Sequence, residues 1–146
     1  MERVARCHCG SLQAVLTGEP ERVYLCHCKA CQHRTGAIVH SGAYCRREQV
    51  RTEGPSTEYA RQAASGLSLR FHFCPTCGSS VYWSADHSPE YVGIAVGCFA
   101  DPNFPPPSVS GWEESMAKWF SMPTCVEERY QQRTNIGTAI KKRVNS

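Results

Sequence analysis

Seven of the ten cysteines in this 146-residue chain fall in three short clusters, at spacings that let thiolates share a metal ion. The clusters are Cys7-His8-Cys9-Gly10, Cys26-His27-Cys28-Lys29-Ala30-Cys31 and Cys74-Pro75-Thr76-Cys77-Gly78. The third has the form of a zinc knuckle. Two residues between the thiolates let both sulfurs face one ion. Pro75 presets the turn, and Gly78 lets the backbone fold back beneath the metal. A lone Cys-x-x-Cys can also be a redox pair. A redox pair normally opens a helix, whereas this one sits between two strand-like runs, so we read structural zinc.

A closed structural site needs four ligands. Cys7 and Cys9 are the natural second pair. Read instead as a buried strand residue and a turn residue, they would leave the knuckle half-coordinated. Cys9 and Cys74 are 65 residues apart. A site joining them pins the N-terminal hairpin to the middle of the chain, a fold-stabilising role.

The middle cluster places Cys26, Cys28 and Cys31 within six residues and offers no fourth cysteine. Three protein ligands plus an open position is the pattern of a catalytic zinc. A fourth ligand from Cys45, Cys98, Cys125 or one of the six histidines would close the site. Cys98 lies in an apolar run and reads as a small core residue. His27 is adjacent to two ligands, so steric strain argues against it. Spacing alone leaves the open and the closed site both standing.

Three thiolates outweigh the charge of Zn²⁺. Such a site is a poor Lewis acid for a carbonyl but suits holding an incoming thiol as thiolate. A free thiol has a pKa of about 8.5, so little of it is ionised at neutral pH. This chemistry favours thiol addition over hydrolysis, with proximity supplying much of the rate. His27 and His33 flank the cluster as candidates for proton transfer, although surface or supporting roles are commoner for such residues. Lys29 and Arg34 could attract carboxylates, with plain solvation as the ordinary alternative. Trp83, Trp112 and Trp119 read as core or pocket walls.

The elements that must position these residues are mostly strands. Val4–Cys7 and Leu12–Leu16 flank the Cys9-Gly10 turn as a hairpin. Val23–Leu25 leads into the second cluster, and Ala37–Tyr44 is a further strand candidate. Leu67, Leu69, Phe71 and Phe73 alternate with polar residues. Val81–Trp83 follows at hairpin distance, and Tyr91–Phe99 reads as a buried strand. Cys28–Arg34 reads as a short helix closed by Gly36, and Glu127–Arg133 as another. Asp101–Pro107 carries four prolines and must be a loop. The expectation is one mainly β domain with short helices over residues 1–133, and a polar tail over 134–146.

Composition sets the outer bounds. The hydrophobic fraction is 41% and the charged fraction 20%, ordinary for a globular chain. No stretch of about 18 apolar residues suggests a membrane span. The N-terminus lacks the apolar run of a secretory signal, so the expected home is the cytoplasm, where cysteines stay reduced. A net charge of +3 is too weak to argue for nucleic acid, and Lys141-Lys142-Arg143 reads as a solvated tail.

In order and separation, Cys-His-Cys-Gly, then Cys-His-Cys-x-x-Cys, then Phe-Cys-Pro-Thr-Cys-Gly resembles the glutathione-dependent formaldehyde-activating enzyme family, which also includes centromere protein V. The resemblance runs through the motifs from Cys7 to Gly78. It extends less sharply to Gly97-Cys98-Phe99-Ala100-Asp101 and Trp119. It implies a mostly β, Mss4-like zinc fold. It implies that Cys7, Cys9, Cys74 and Cys77 hold a structural zinc and that Cys26, Cys28 and Cys31 hold a catalytic one. The implied activity is that of a carbon–sulfur lyase, adding glutathione to formaldehyde to give S-hydroxymethylglutathione. The partners would then be a small thiol and a small aldehyde. None of the matched motifs recognises glutathione. Two other classes stand beside this one. One is a non-catalytic zinc module for protein or nucleic-acid partners. The other is a redox or metal sensor built on Cys26, Cys28 and Cys31, since an exposed trithiolate oxidises readily.

Overall fold

A computed structural model describes residues 1–63 and 66–132. The polar tail expected over 134–146, including Lys141-Lys142-Arg143, lies outside the described residues. In chain order the strands and the helix are β1 (Glu2–Arg6), β2 (Gln13–Thr17), β3 (Arg22–Cys26), α1 (Lys29–Thr35), β4 (His40–Arg46), β5 (Val50–Glu53), β6 (Thr57–Gln62), β7 (Ser68–Phe73), β8 (Ser80–Ala85), β9 (Tyr91–Ala95), β10 (Val109–Gly111) and β11 (Glu128–Arg129). The protein is mainly β. No helix among the described residues is long and apolar enough to cross a membrane.

The chain divides into two compact units. The first comprises Met1–Glu21 and Ala43–Phe104. Here β1, β2 and β5 form an antiparallel sheet, with Val4 opposite Val15 and Ala14 opposite Thr52. The strands β6, β7, β8 and β9 run antiparallel in that order. Ala5, Leu12, Ala14, Leu16, Val81 and Ile94 are fully buried and form its core. Trp83 pairs across the sheet with Gly93, where an added Cβ would meet the indole at 2.1 Å. Only glycine lets the Trp83 ring lie over that strand.

The second unit comprises, among the described residues, Arg22–Gly42 and residues 105–132. In it, β10 runs parallel to both β3 and β11. Val23, Tyr24, Leu25, Val109 and Val126 are buried. Arg22, 3% exposed, is neutralised by an ion pair with Glu128. That pairing explains one correction to the sequence reading. Glu127–Arg133 is not a helix over its described residues, because β11 places Glu128 beside Val109. Tyr91–Phe99 also differs. The strand stops at Ala95, and Val96–Phe99 tightens into a 3-10 turn that ends at Ala100 with φ 48°.

Candidate metal centres

The first centre is built by two knuckles of one design. Cys7 and Cys74 each end a strand run, and each backbone folds back to the chain ahead of it. The Cys7 N–H donates to Leu12 O at 3.0 Å and the Cys74 N–H to Ser79 O at 3.0 Å. The turns close through Gly10 N–H to Cys7 O at 3.0 Å and Gly78 N–H to Cys74 O at 2.8 Å. Gly10 and Gly78 take φ values of +83° and +77°, the left-handed region that glycine adopts without steric cost. The His8 N–H donates to Ser79 Oγ at 3.0 Å, so each knuckle also grips the other.

Cys7, Cys9, Cys74 and Cys77 bring their sulfurs within 4.8 Å of one another. Cys7 to Cys9 and Cys9 to Cys74 are each 3.6 Å. Four sulfurs about 2.3 Å from a tetrahedral ion stand about 3.8 Å apart. The group therefore already has the dimensions of a closed four-sulfur site.

Two serines complete it. Ser11 Oγ lies 3.1 Å from Cys9 Sγ and 3.2 Å from Cys74 Sγ, and Ser79 Oγ lies 3.3 Å from Cys77 Sγ. Hydrogen bonds to the thiolate form favour it. The Ser79 hydroxyl, helped by backbone amides, pulls the Cys77 thiol down to about 5. The Ser11 hydroxyl, followed by the Cys77 and Thr76 amides, pulls Cys74 down to about 7. Cys9 moves the other way. Ser11 lowers it, but contact with Cys74 and burial carry it upward. Neither serine was singled out from the sequence, although a signal was present: both knuckles read Cys-Gly-Ser.

The second centre lies wholly in the second unit. Cys26 ends β3, Cys28 caps the first turn of α1 and Cys31 lies within it. The Cys31 N–H donates to Cys28 Sγ at 3.3 Å, so the residue before the helix both caps it and aims its sulfur at the cluster. Gly36 closes the helix at φ 71°, as its position predicts. The three sulfurs lie within 4.8 Å of one another. Among the described residues, no fourth cysteine, histidine or carboxylate joins that group. Of the other candidates named from the sequence, Cys45 is fully buried, Cys98 is half-buried and Cys125 is exposed.

Without an ion these three thiols cannot all ionise. Hydrogen bonds with Cys28 and Cys31, then burial, hold the Cys26 thiol far above its ordinary range. Cys31 is also raised. Its contact with Cys26 lowers it, Cys28 and burial raise it more, and the Arg34 charge lowers it in turn.

The cluster is braced from one side. Gln32 Nε2 donates to His27 O at 2.8 Å and to Ser115 O at 3.0 Å, tying α1 to both chain segments. His27 is fully buried, edge-on to Phe120 at 5.1 Å between ring centres. Burial leads the effects that push its pKa down, with nearby Glu113 opposing. Glu113 itself is buried and takes three hydrogen bonds from Arg129, at 2.9, 3.0 and 3.1 Å. His27 is therefore a packed residue behind the ligands, while His33 and Lys29 are exposed on the helix. Trp83 is core, as one reading of it held, but Trp119 is 74% exposed and belongs to no core.

A crystal structure of a Rhodobacter sphaeroides protein is similar to this chain, with a TM-score of 0.48 and 20% identity over 89% of this chain and 99% of that one. Among proteins with curated descriptions, none matches. Residues 2–115 match the family model described as glutathione-dependent formaldehyde-activating enzyme. That span contains all seven clustered cysteines and most of both units, and the chain belongs to the glutathione-dependent formaldehyde-activating enzyme family.

Proposed function

We propose that this protein is a zinc enzyme of the carbon–sulfur lyase type, which activates a thiol for addition to a small aldehyde. Glutathione and formaldehyde are the pair that the family's description suggests. One zinc would be held by Cys7, Cys9, Cys74 and Cys77, and a second by Cys26, Cys28 and Cys31. The observation that carries the reading is the difference between the two groups: four sulfurs in one, three in the other. Four sulfurs saturate a zinc ion, and three leave it one position short. When bound at the second centre, zinc would supply a site that keeps an incoming thiol ionised near neutral pH.

The chain's own contribution is to make and hold that vacancy. Cys26, Cys28 and Cys31 occupy one side of the centre because a strand end and a helix start deliver them from within six residues. Gln32 holds the backbone beside them through His27 O and Ser115 O, and His27 is buried between Cys26 and Cys28 in the chain. The reacting sulfur then attacks the carbonyl carbon. The carbon–sulfur bond forms, the C=O π pair moves to oxygen, and water supplies the proton. Lyase action is the reverse.

Exchange NMR on ¹³C-formaldehyde and glutathione tests this. Exchange between free aldehyde and adduct should accelerate with the zinc-loaded protein and return to the uncatalysed rate with Cys28→Ser. Equal rates with and without wild-type protein would contradict it. The exposed Trp119 favours a second reading, a non-catalytic module that docks a partner through its indole. That reading gains if the rates are equal.

A further inference from the structure

Strand β6 ends its sheet, and no described strand pairs with its outer edge. Its inner edge is fixed by β7. The Ala63 N–H donates to Leu67 O at 2.8 Å, in the same register that sets Tyr59 opposite Phe71. Bonded and non-bonded pairs alternate along an antiparallel ladder. Thr57, Tyr59 and Arg61 therefore direct their N–H and C=O groups to β7, and Glu58, Ala60 and Gln62 turn theirs outward. The far side of β7 agrees. There the Asp86 N–H donates to Ser68 O at 3.0 Å, so the even-numbered residues of β7 face β8. Edge strands are commonly blunted by a proline or a bulge. Thr57–Gln62 contains no proline, and its register with β7 runs unbroken. An apolar row also ends on this edge. Trp83 and Phe71 are each 4% exposed, whereas Tyr59, next in the row, is 53% exposed.

We propose that β6 is the pairing surface for a second copy of this chain, with a two-fold axis beside Ala60. A two-fold axis normal to the sheet sets one residue against its own copy, and matched residues then lie on one face. With Ala60 at the axis, Glu58 of one copy faces Gln62 of the other, and Tyr59 faces Arg61. All three outward residues exchange both backbone groups with the second copy, for about six hydrogen bonds. The smallest side chain of the strand lies at the crossing. The Glu58 carboxylate meets an amide donor, and each Tyr59 ring meets a guanidinium. Arg61 already lies over the Phe71 ring at 5.5 Å, on the face that carries Tyr59. With Tyr59 at the axis instead, Glu58 would face Ala60, and β6 would make only about four such bonds. The sequence of the strand thus matches itself best in one register. The interface is small, so the dimer belongs to the weak, concentration-dependent class.

Sedimentation velocity on the zinc-loaded full chain tests this. Over about a hundredfold range of concentration reaching millimolar, wild type should pass reversibly from monomer to dimer. A monomer throughout would overturn the proposal. Ala60→Pro removes the outward N–H and leaves every bond to β7 in place. It should weaken the dimer about a hundredfold, two hydrogen bonds at about tenfold each. Ala60→Lys and Ala60→Glu each set like charges face to face, so each alone should stay monomeric. Mixed together, they should pair again. A dimer that survives Ala60→Pro would overturn the proposal, because the contact would lie elsewhere. A tighter dimer in Ala60→Lys would overturn it too, because residue 60 would then face Glu58. A mixture that stays monomeric would count equally against it. If circular dichroism shows that Ala60→Pro does not fold, the mixing experiment decides.

Discussion

The two cysteine centres contrast in nearly every respect that governs a metal site. The first joins residues 65 apart, and hydroxyl and amide donors on Cys74 and Cys77 prepare those thiols to ionise. The second is confined to six residues, and its thiol contacts together with burial leave Cys26 and Cys31 raised. The first group has four sulfurs, the second three. A centre that closes a long loop and has two thiols already biased toward thiolate is suited to holding a fold together. A local centre with one ligand too few is suited to exchange. The difference arises from topology: a hairpin and a distant knuckle can surround an ion, whereas one strand end and one helix start cover only part of it.

Breaking one cluster at a time gives the largest expected effect. Cys77→Ser should unfold or aggregate the protein, because structural zinc contributes on the order of 10 kcal/mol in small zinc peptides. Cys28→Ser should leave the chain folded. Circular dichroism melts of the zinc-loaded variants would show this, and equal damage from both substitutions would remove the distinction.

Acidification sharpens the same contrast with a smaller effect. A proton competes with metal for each thiolate, and a raised thiol pKa keeps that competition strong to higher pH. Cys26 and Cys31 are raised, whereas in the first centre Cys74 and Cys77 are lowered to about 7 and about 5, against a raised Cys9. As pH falls from 7.5, the second centre should therefore lose its ion first. Followed with a chromophoric chelator, release should come in two steps, with the earlier one missing in Cys28→Ser. Ser79→Ala removes the hydroxyl at Cys77, a hydrogen bond worth about 1 kcal/mol, and should draw the later step toward the earlier. A single step in wild type, or a later step unmoved by Ser79→Ala, would refute this ordering.

Much of this contrast was legible in the sequence because short cysteine spacings report local geometry directly. The knuckle turn at Gly78 and the helix from Cys28 to Gly36 follow from residues adjacent in the chain. What escaped was set by distant partners. β6 is exposed along most of its length, so Thr57–Gln62 shows no alternation to read. β11 reads as helix from its charged residues, yet Glu128 is committed to Arg22, 106 residues away. Ser11 and Ser79 escaped for another reason: a serine after a turn glycine is ordinary until the thiols it serves are seen around it.

The central claim is that one centre is closed and the other accepts a thiol. X-ray absorption at the zinc edge, with and without glutathione, addresses it most directly. With zinc in both centres, the account predicts an average of about 3.5 sulfurs per zinc, rising to about 4 when glutathione is added, with no rise in Cys28→Ser. Four protein ligands at both centres before glutathione, and no change after it, would contradict the claim.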